Sequence, residues 1–539
     1  MSMGKTIMIQ GTASHVGKSI TVAALCRIFH RRGFRVAPFK AQNMANNSFV
    51  TQEGGEIGRA QAMQAMAAGI EPSVRMNPVL LKPSSDQCAQ VIVLGRPTHS
   101  LSAQEFYLRK EELLPIVMDA LNQLCSEYDI VVIEGAGSPA EINLKKQDIV
   151  NMRLAKVLKA PVLLIGDIDR GGVFAQIIGT YELLDSEEKS LIKAFLINKF
   201  RGDKAILDPG IIWMEERLKR KCLGVIPWIP DLALDEEDAV ALQERDSNGK
   251  VALPGHTFFH PSHNDQLLIH VIRLPRISNF TDFDPLQNEP NVCLQYVEHP
   301  IRHIRPDLLI LPGTKATVSD LRFLQERGWD AYIRQYVDQG GNVFGICGGF
   351  QMLGESLHDP DHVESKEPIV SGLGLLPVKT TFHRTKTTKQ VKAIHLESGL
   401  TVRGYEIHMG ETHYTQEVLP LFRIVEQQGQ PAETHDGVIM TLSGKEKSSC
   451  TVTTSDGERS YPFISGTYIH GLFDEPAFRR YFLNKLRLSA GLKPWIDSKG
   501  QAKGRGNGFD TLADIFEQNM DMKLLDSILQ GEKICQSRA

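Results

Sequence analysis

Nothing limits the fold of this chain more than its first thirty or so residues. An apolar strand at 5–10 (KTIMIQ) gives way to Gly11-Thr12-Ala13-Ser14-His15-Val16-Gly17-Lys18-Ser19, and then to a helical stretch through about Arg32. A strand, a glycine turn and a helix N-terminus in that order gather backbone N–H groups and the positive end of a helix dipole around one point, which suits a phosphate. In such a loop Lys18 reaches the terminal phosphates of ATP, Ser19 ligates Mg2+, and Thr12 and Gly17 line the nucleotide. The strict pattern has four residues between its glycines, whereas five separate Gly11 from Gly17 here. A turn that binds nothing is the plain alternative, and the adjacent Gly-Lys-Ser argues against it.

Further apolar strands at 34–39, 129–133, 161–165 and 193–198 alternate with helical segments, one of them opened by a capping box from Ser102 to Glu105. Continuous apolar runs separated by helices indicate a parallel sheet covered on both faces, hence a doubly wound α/β domain. Ligands collect at the carboxyl ends of such strands. After the second strand comes Lys40-Ala41-Gln42-Asn43-Met44-Ala45-Asn46-Asn47-Ser48, dense in amides, which a solvated turn would also explain. Glu56 stands where a helix is expected to begin, as a metal ligand or a plain helix-terminus acid. Glu134 closes strand 129–133 opposite the phosphate loop and is, with Ser19 and Glu56, a candidate magnesium ligand. Asp167 and Asp169 follow strand 161–165, where a local salt bridge is the competing reading.

A composition shift after 225–230 (VIPWIP) into acidic, then Gly- and Pro-rich residues marks a boundary, and strands resume at 267–272, 307–311 and 342–346. The expected division is 1–232 for an ATP-binding domain, 233–264 for a linker, 265–485 for a second α/β domain and 486–539 for a helical tail. The second domain holds Val343 to Phe350, VFGICGGF, where a strand runs into a cysteine flanked by glycines. That is the spacing of a nucleophile elbow. A resting thiol is only a few per cent thiolate near neutral pH, so Cys347 needs a base and oxyanion donors.

With 42% hydrophobic and 23% charged residues the chain is globular, and a net charge of -4 with dispersed Lys and Arg argues against nucleic acid and against membrane lipid as partners. Small molecules are the expected ligands. Eight scattered cysteines without a CxxC pair suggest free thiols in a reducing compartment, and the N-terminus enters a strand at once, so a soluble, cytoplasmic protein is expected. Whether copies of the chain form a homo-oligomer stays open.

The phosphate loop resembles that of dethiobiotin synthetase and its relatives. KAQNMANNS, EIGRAQ, EGAGSPAEINL and GDIDRGGVFA, in that order after this loop, and RGYEIHMG in the elbow's domain resemble the cobyric acid synthase family, glutamine-dependent amidases of the cobalamin pathway, over nearly the whole chain. The second domain is similar to class I glutamine amidotransferases. The resemblance implies ATP- and Mg2+-dependent amidation, with nitrogen from glutamine, of the b, d, e and g carboxylates of a corrinoid, adenosylcobyrinic acid a,c-diamide. It implies Cys347 as nucleophile and His470, in YIHGL, as base. It also implies Gly313, Gln351, Tyr405 and Glu406 around glutamine, the segment at Gly313 supplying a backbone donor to the oxyanion where a structural turn is the plain alternative, with Gln42, Asn43, Asn46 and Asn47 toward the corrinoid. Where class I relatives carry a glutamate two residues after the histidine, this chain has Leu472. The site therefore reads as a Cys347–His470 dyad, with Asp474 the nearest substitute acid. The alternatives are a cobyrinic acid a,c-diamide synthase, another amidating ligase of the superfamily, or a nucleotide-dependent scaffold with an inactive amidotransferase domain.

Overall fold

The computed structural model describes residues 3–84, 88–229, 265–442, 451–454, 457–495 and 505–531. The expected linker at 233–264 lies outside them. In the first half, six strands form one parallel sheet in the order Lys221–Pro227, Ile192–Phe200, Val162–Asp167, Lys5–Gly11, Ile130–Glu134, Val36–Phe39. The central strands are buried on both faces, as their unbroken apolar runs require. Helix Lys18–Arg31 covers one face and helix Ala103–Glu127, opened by the Ser102/Glu105 capping box, the other.

Two local expectations differ from what is observed. Glu56 sits on a short strand, Glu56–Gly58, paired antiparallel with Ser48–Val50, and the helix starts only at Arg59. Strands Val79–Pro83, Cys88–Val93 and Arg96–Ser102 pair antiparallel in succession and join Gln42–Met44 in a separate four-stranded sheet, where only helical connections were expected.

The second half is built on six strands in the order Val292–Val297, Leu267–Ile272, Leu308–Leu311, Asn342–Ile346, Phe463–Thr467, Val438–Thr441, all parallel except the last. A second sheet, dominated by the long antiparallel pair Val378–His395 and Thr401–Tyr414, packs beside it. Its strands carry few apolar residues in sequence, so no strand signal stands out in them.

The tail splits its allegiance. Helix Pro476–Ser489 packs Phe478, Phe482 and Leu486 into the second domain's core. Helices Arg505–Asn519 and Met522–Gln530 return to the first domain, where Leu512, Phe516, Leu525 and Ile528 join the core beneath helix Lys18–Arg31. Arg27 pairs with Asp510 across that contact at 2.8 Å. Among the described residues no helix is long and apolar enough to cross a membrane.

Candidate active site

At the first sheet's carboxyl edge the loop after Lys5–Gly11 folds back on itself. Gly17 has φ of 99°, and a Cβ there would lie 2.0 Å from Asn198 Nδ2, so only glycine fits. Asn198 Nδ2 in turn donates to Val16 O at 2.9 Å, fixing the loop to strand Ile192–Phe200. Lys18 Nζ donates to Ala13 O (2.8 Å) and Gly137 O (3.0 Å), which holds the ammonium over the loop. Thr12 Oγ1 donates to Gln176 Oε1 at 3.2 Å.

Ser19 Oγ donates to Glu134 Oε1 at 2.9 Å. The buried Glu134 also takes Lys40 Nζ at 2.9 Å and Gln64 Nε2 at 2.6 Å. Burial opposes its charge, yet Lys40, Gln64 and Ser19 together hold its carboxyl below the usual range. A hydroxyl and an ionised carboxylate beside a phosphate cradle are the hard oxygen donors magnesium takes, so the residues present fit that ion.

Glu56 does not join them. Its Oε1 lies 2.6 Å from Lys82 Nζ and its Oε2 2.5 Å from Lys386 Nζ, the latter in the second domain. Burial alone would raise its pKa, but the two lysines bring it down to about 2. Both oxygens are occupied by cations, so the expectation of a magnesium ligand is corrected: Glu56 is a charged bridge between domains. Asp167 and Asp169 take the salt-bridge reading, pairing with Lys199 (2.8 Å) and Arg201 (2.9 Å).

In the second domain Cys347 lies between strand Asn342–Ile346 and helix Gly348–Leu353 with φ 51° and ψ -110°. This is the strained turn of a nucleophile elbow. The turn closes only because residue 349 is glycine: a Cβ there would sit 2.0 Å from Leu311 O. The neighbouring parallel strands deliver the rest: Gly313 follows Leu308–Leu311, and His470 follows Phe463–Thr467. A Cβ on Gly313 would lie 3.1 Å from His470 Cε1, so the segment expected to donate to the oxyanion backs directly on the base.

His470 is held from three sides. Its backbone pairs with Tyr405 (N to O, 2.9 and 3.1 Å), and the Tyr405 ring stacks on the imidazole at 5.3 Å. Its Nδ1 is 2.6 Å from Asp282 Oδ2, while Asp282 Oδ1 accepts from Gly471 N at 2.9 Å. The expectation of a dyad is therefore corrected. An acid does orient the imidazole, but it comes from the turn Phe280–Phe283, well before the cysteine, and not from 472 or 474. Burial disfavours the imidazolium, but Asp282 chiefly, with the nearby Cys347 thiol, pushes the pKa of His470 up to about 10. Nε2 is buried, and among the described residues it has no hydrogen-bond partner apart from its interaction with the Cys347 thiol. His408 is a neutral ring at this site: burial takes it down to about 4, and it stacks on Tyr468 at 3.8 Å.

The cavity in front of Cys347 is lined by Thr314, Gln351 and the run Ile407, His408, Met409, but also by Lys82 from the first domain. Gln351 lines it as expected. Tyr405 and Glu406 do not: Tyr405 faces the base and donates its hydroxyl to Ser48 O (3.1 Å), and Glu406 is buried and raised to about 8, first by burial and then by Asp436. Nor do the amides of KAQNMANNS act as one set. Asn43 Nδ2 donates to Gln61 Oε1 at 2.9 Å. Asn47 Oδ1 accepts from Phe280 N (3.3 Å), and Ser48 N donates to Asn279 Oδ1 (3.0 Å), so this stretch braces the turn that carries Asp282. Gln42 and Asn46 each keep a buried side-chain oxygen without a hydrogen-bond partner among the described residues.

The sequence reading missed Asp282 although a signal was available. Ligand-binding groups collect beyond strand carboxyl ends, and the polar run Ser278-Asn279-Phe280-Thr281-Asp282 stands in that place after Leu267–Ile272.

Comparison with known proteins agrees with this construction. Residues 7–240 match the CobQ/CobB/MinD/ParA nucleotide binding domain and residues 268–478 the CobB/CobQ-like glutamine amidotransferase domain. The cobyric acid synthase of Streptococcus sanguinis strain SK36 is 45% identical over 532 residues, 98% of this chain and 100% of that one. Those of Pelotomaculum thermopropionicum (45%, 98% of this chain and 97% of its own) and Dehalococcoides mccartyi strain BAV1 (46%, 98% and 99%) are similar over the same span.

Proposed function

The chain belongs to the cobyric acid synthase family, and from that premise we propose that its two corners divide one reaction, the amidation of the b, d, e and g carboxylates of adenosylcobyrinic acid a,c-diamide in cobalamin biosynthesis. The chain is a glutamine-hydrolysing carbon–nitrogen ligase. A carboxylate does not condense with ammonia at neutral pH, so it first takes the γ-phosphoryl group of ATP, and Lys18 and the loop amides stabilise the charge in transfer. Magnesium held by Ser19 and Glu134 would neutralise phosphate charge there. In the second domain the Cys347 thiolate attacks the side-chain amide carbon of glutamine, and backbone N–H groups beside Gly313 receive the oxyanion. The proton on His470 Nε2, kept there by Asp282, passes to the leaving nitrogen, and water then hydrolyses the glutamyl thioester. Ammonia crosses to the acyl phosphate and displaces phosphate.

The observation that carries this reading is the strained Cys347 elbow facing a histidine whose other nitrogen is 2.6 Å from Asp282. Gln42 and Asn46, with side-chain oxygens lacking partners, are the amides left for the corrinoid. The six described cysteines are free thiols, which supports a cytoplasmic setting. Mass spectrometry of the a,c-diamide incubated with ATP, Mg2+ and glutamine tests the whole: four successive amidations are expected. Turnover of cobyrinic acid and none of its diamide would instead mark a diamide synthase.

A further inference from the structure

Three lysines and one carboxylate line the cavity before Cys347 without a part in the chemistry above: Lys82, Lys315, Lys386 and Glu364. Lys82 and Lys386 are accounted for, since both hold Glu56. Lys315 is not. Among the described residues its Nζ makes no hydrogen bond or ion pair, although its backbone is fixed by Lys315 N donating to Arg276 O at 3.0 Å, directly after Gly313 and Thr314. Glu364 is its counterpart. Among the described residues the carboxylate accepts only backbone N–H groups, from Thr317 and, at 3.3 Å, from Val318.

Lys315 and Glu364 feel each other's charge without forming an ion pair. Burial lowers the pKa of Lys315 and lifts that of Glu364 to about 7, so each carries a desolvation cost, and among the described residues neither has a direct ion-pair partner to offset it. A zwitterion satisfies both at once, giving a carboxylate to the lysine and an ammonium to the glutamate.

We propose that Lys315 and Glu364 form the head-group subsite of the glutamine pocket, with Lys315 binding the α-carboxylate and Glu364 the α-ammonium group. The side-chain amide is thereby brought to Cys347, and amides lacking an amino-acid head are refused. This rests on the reading of Cys347 as the nucleophile toward glutamine.

The test is steady-state amidase kinetics of the full chain on glutamine, on glutaramate, which lacks the α-amino group, and on γ-aminobutyramide, which lacks the α-carboxylate. Lys315→Met should raise KM for glutamine about 10- to 100-fold with little change in kcat, the loss typical of a hydrogen bond between charged groups. It should also narrow the gap between glutamine and γ-aminobutyramide by the same factor, and Lys315→Arg should recover part of the loss. Glu364→Gln should do the same for glutaramate. Thermal midpoints verify folding; should either variant be unfolded, Lys315→Arg and Glu364→Asp carry the selectivity measurement, each expected to shift only its own analogue. Glutamine KM within about twofold of wild type, or a parallel fall in kcat for all three amides, would overturn the subsite. Failure of the wild-type chain to hydrolyse glutamine is a separate result, and it would remove the underlying reading of Cys347.

Discussion

At the phosphate corner one continuous segment, Gly11 to Ser19, supplies the anion cradle, the lysine and the hydroxyl, and only Glu134 comes from elsewhere. The thiol corner takes a single residue from each of four strand ends: Asp282, Gly313, Cys347 and His470. The first is a local backbone shape that its own glycines and Asn198 hold in place. The second exists only when a parallel sheet is in register and, through Asn47 and Ser48, when the two domains are docked. A local site should fail by losing its reacting group; a distributed one can also fail through residues that touch nothing reactive.

Removing the central group of each corner tests the division most strongly. Cys347→Ala should lower glutamine-dependent synthesis on the order of 10⁴-fold or more while synthesis from added ammonium persists. Lys18→Ala should lower synthesis by about a hundredfold or more with either nitrogen source. Product formation under the two nitrogen sources checks both, and loss of ammonium-driven synthesis in the cysteine variant would break the comparison.

Asp282 gives the next effect. Asp282→Asn should lower kcat for glutamine hydrolysis about a hundredfold, because the ring loses its orienting acid and its hold on the proton. The pair also has a signature in stability. A histidine raised to about 10 in the folded chain from an ordinary value near 6.5 stabilises fully below about pH 6.5, and that contribution is lost as pH rises toward 10. The gap between wild-type and Asp282→Asn unfolding midpoints should accordingly be widest in mild acid and close on the alkaline side. Glu406 and His408 also interact with the ring, and neither supplies the missing carboxylate contact. A gap that widens with pH would mean that Asp282 does not hold the proton.

The same contrast explains which parts could be read in advance. Both parallel sheets follow from unbroken apolar runs, and Lys18, Ser19, Cys347 and the Ser102/Glu105 cap follow from spacing alone, since each is a local pattern with one structural solution. Asp282 and His470 are separated by 188 residues, and nothing in the composition of either segment names the other. Glu56 misled for a related reason. An acid near a helix start suits a cation, and only the docked second domain reveals that Lys386 already serves as that cation. The hairpin of Val378–His395 and Thr401–Tyr414 was hidden because its strands alternate weakly and bury few apolar side chains, so its stability comes from pairing and docking that no local window contains.

The smallest effect separates two readings of one residue. Asn47 stands in an amide-rich stretch that suggests corrinoid contact, yet its side-chain oxygen accepts from Phe280 N, two residues before the acid that orients the base. As a brace, Asn47→Ala leaves one backbone N–H short of an acceptor, worth about 1 kcal/mol and hence a factor of about 5. That factor should appear in glutamine-dependent synthesis, while KM for the corrinoid, measured with ammonium as nitrogen source, stays at the wild-type value. The opposite pattern, a raised corrinoid KM with ammonium and unaltered glutaminase turnover, would return Asn47 to the substrate. It would also mean that the turn carrying Asp282 needs no support from the first domain, leaving the thiol corner as self-contained as the phosphate loop.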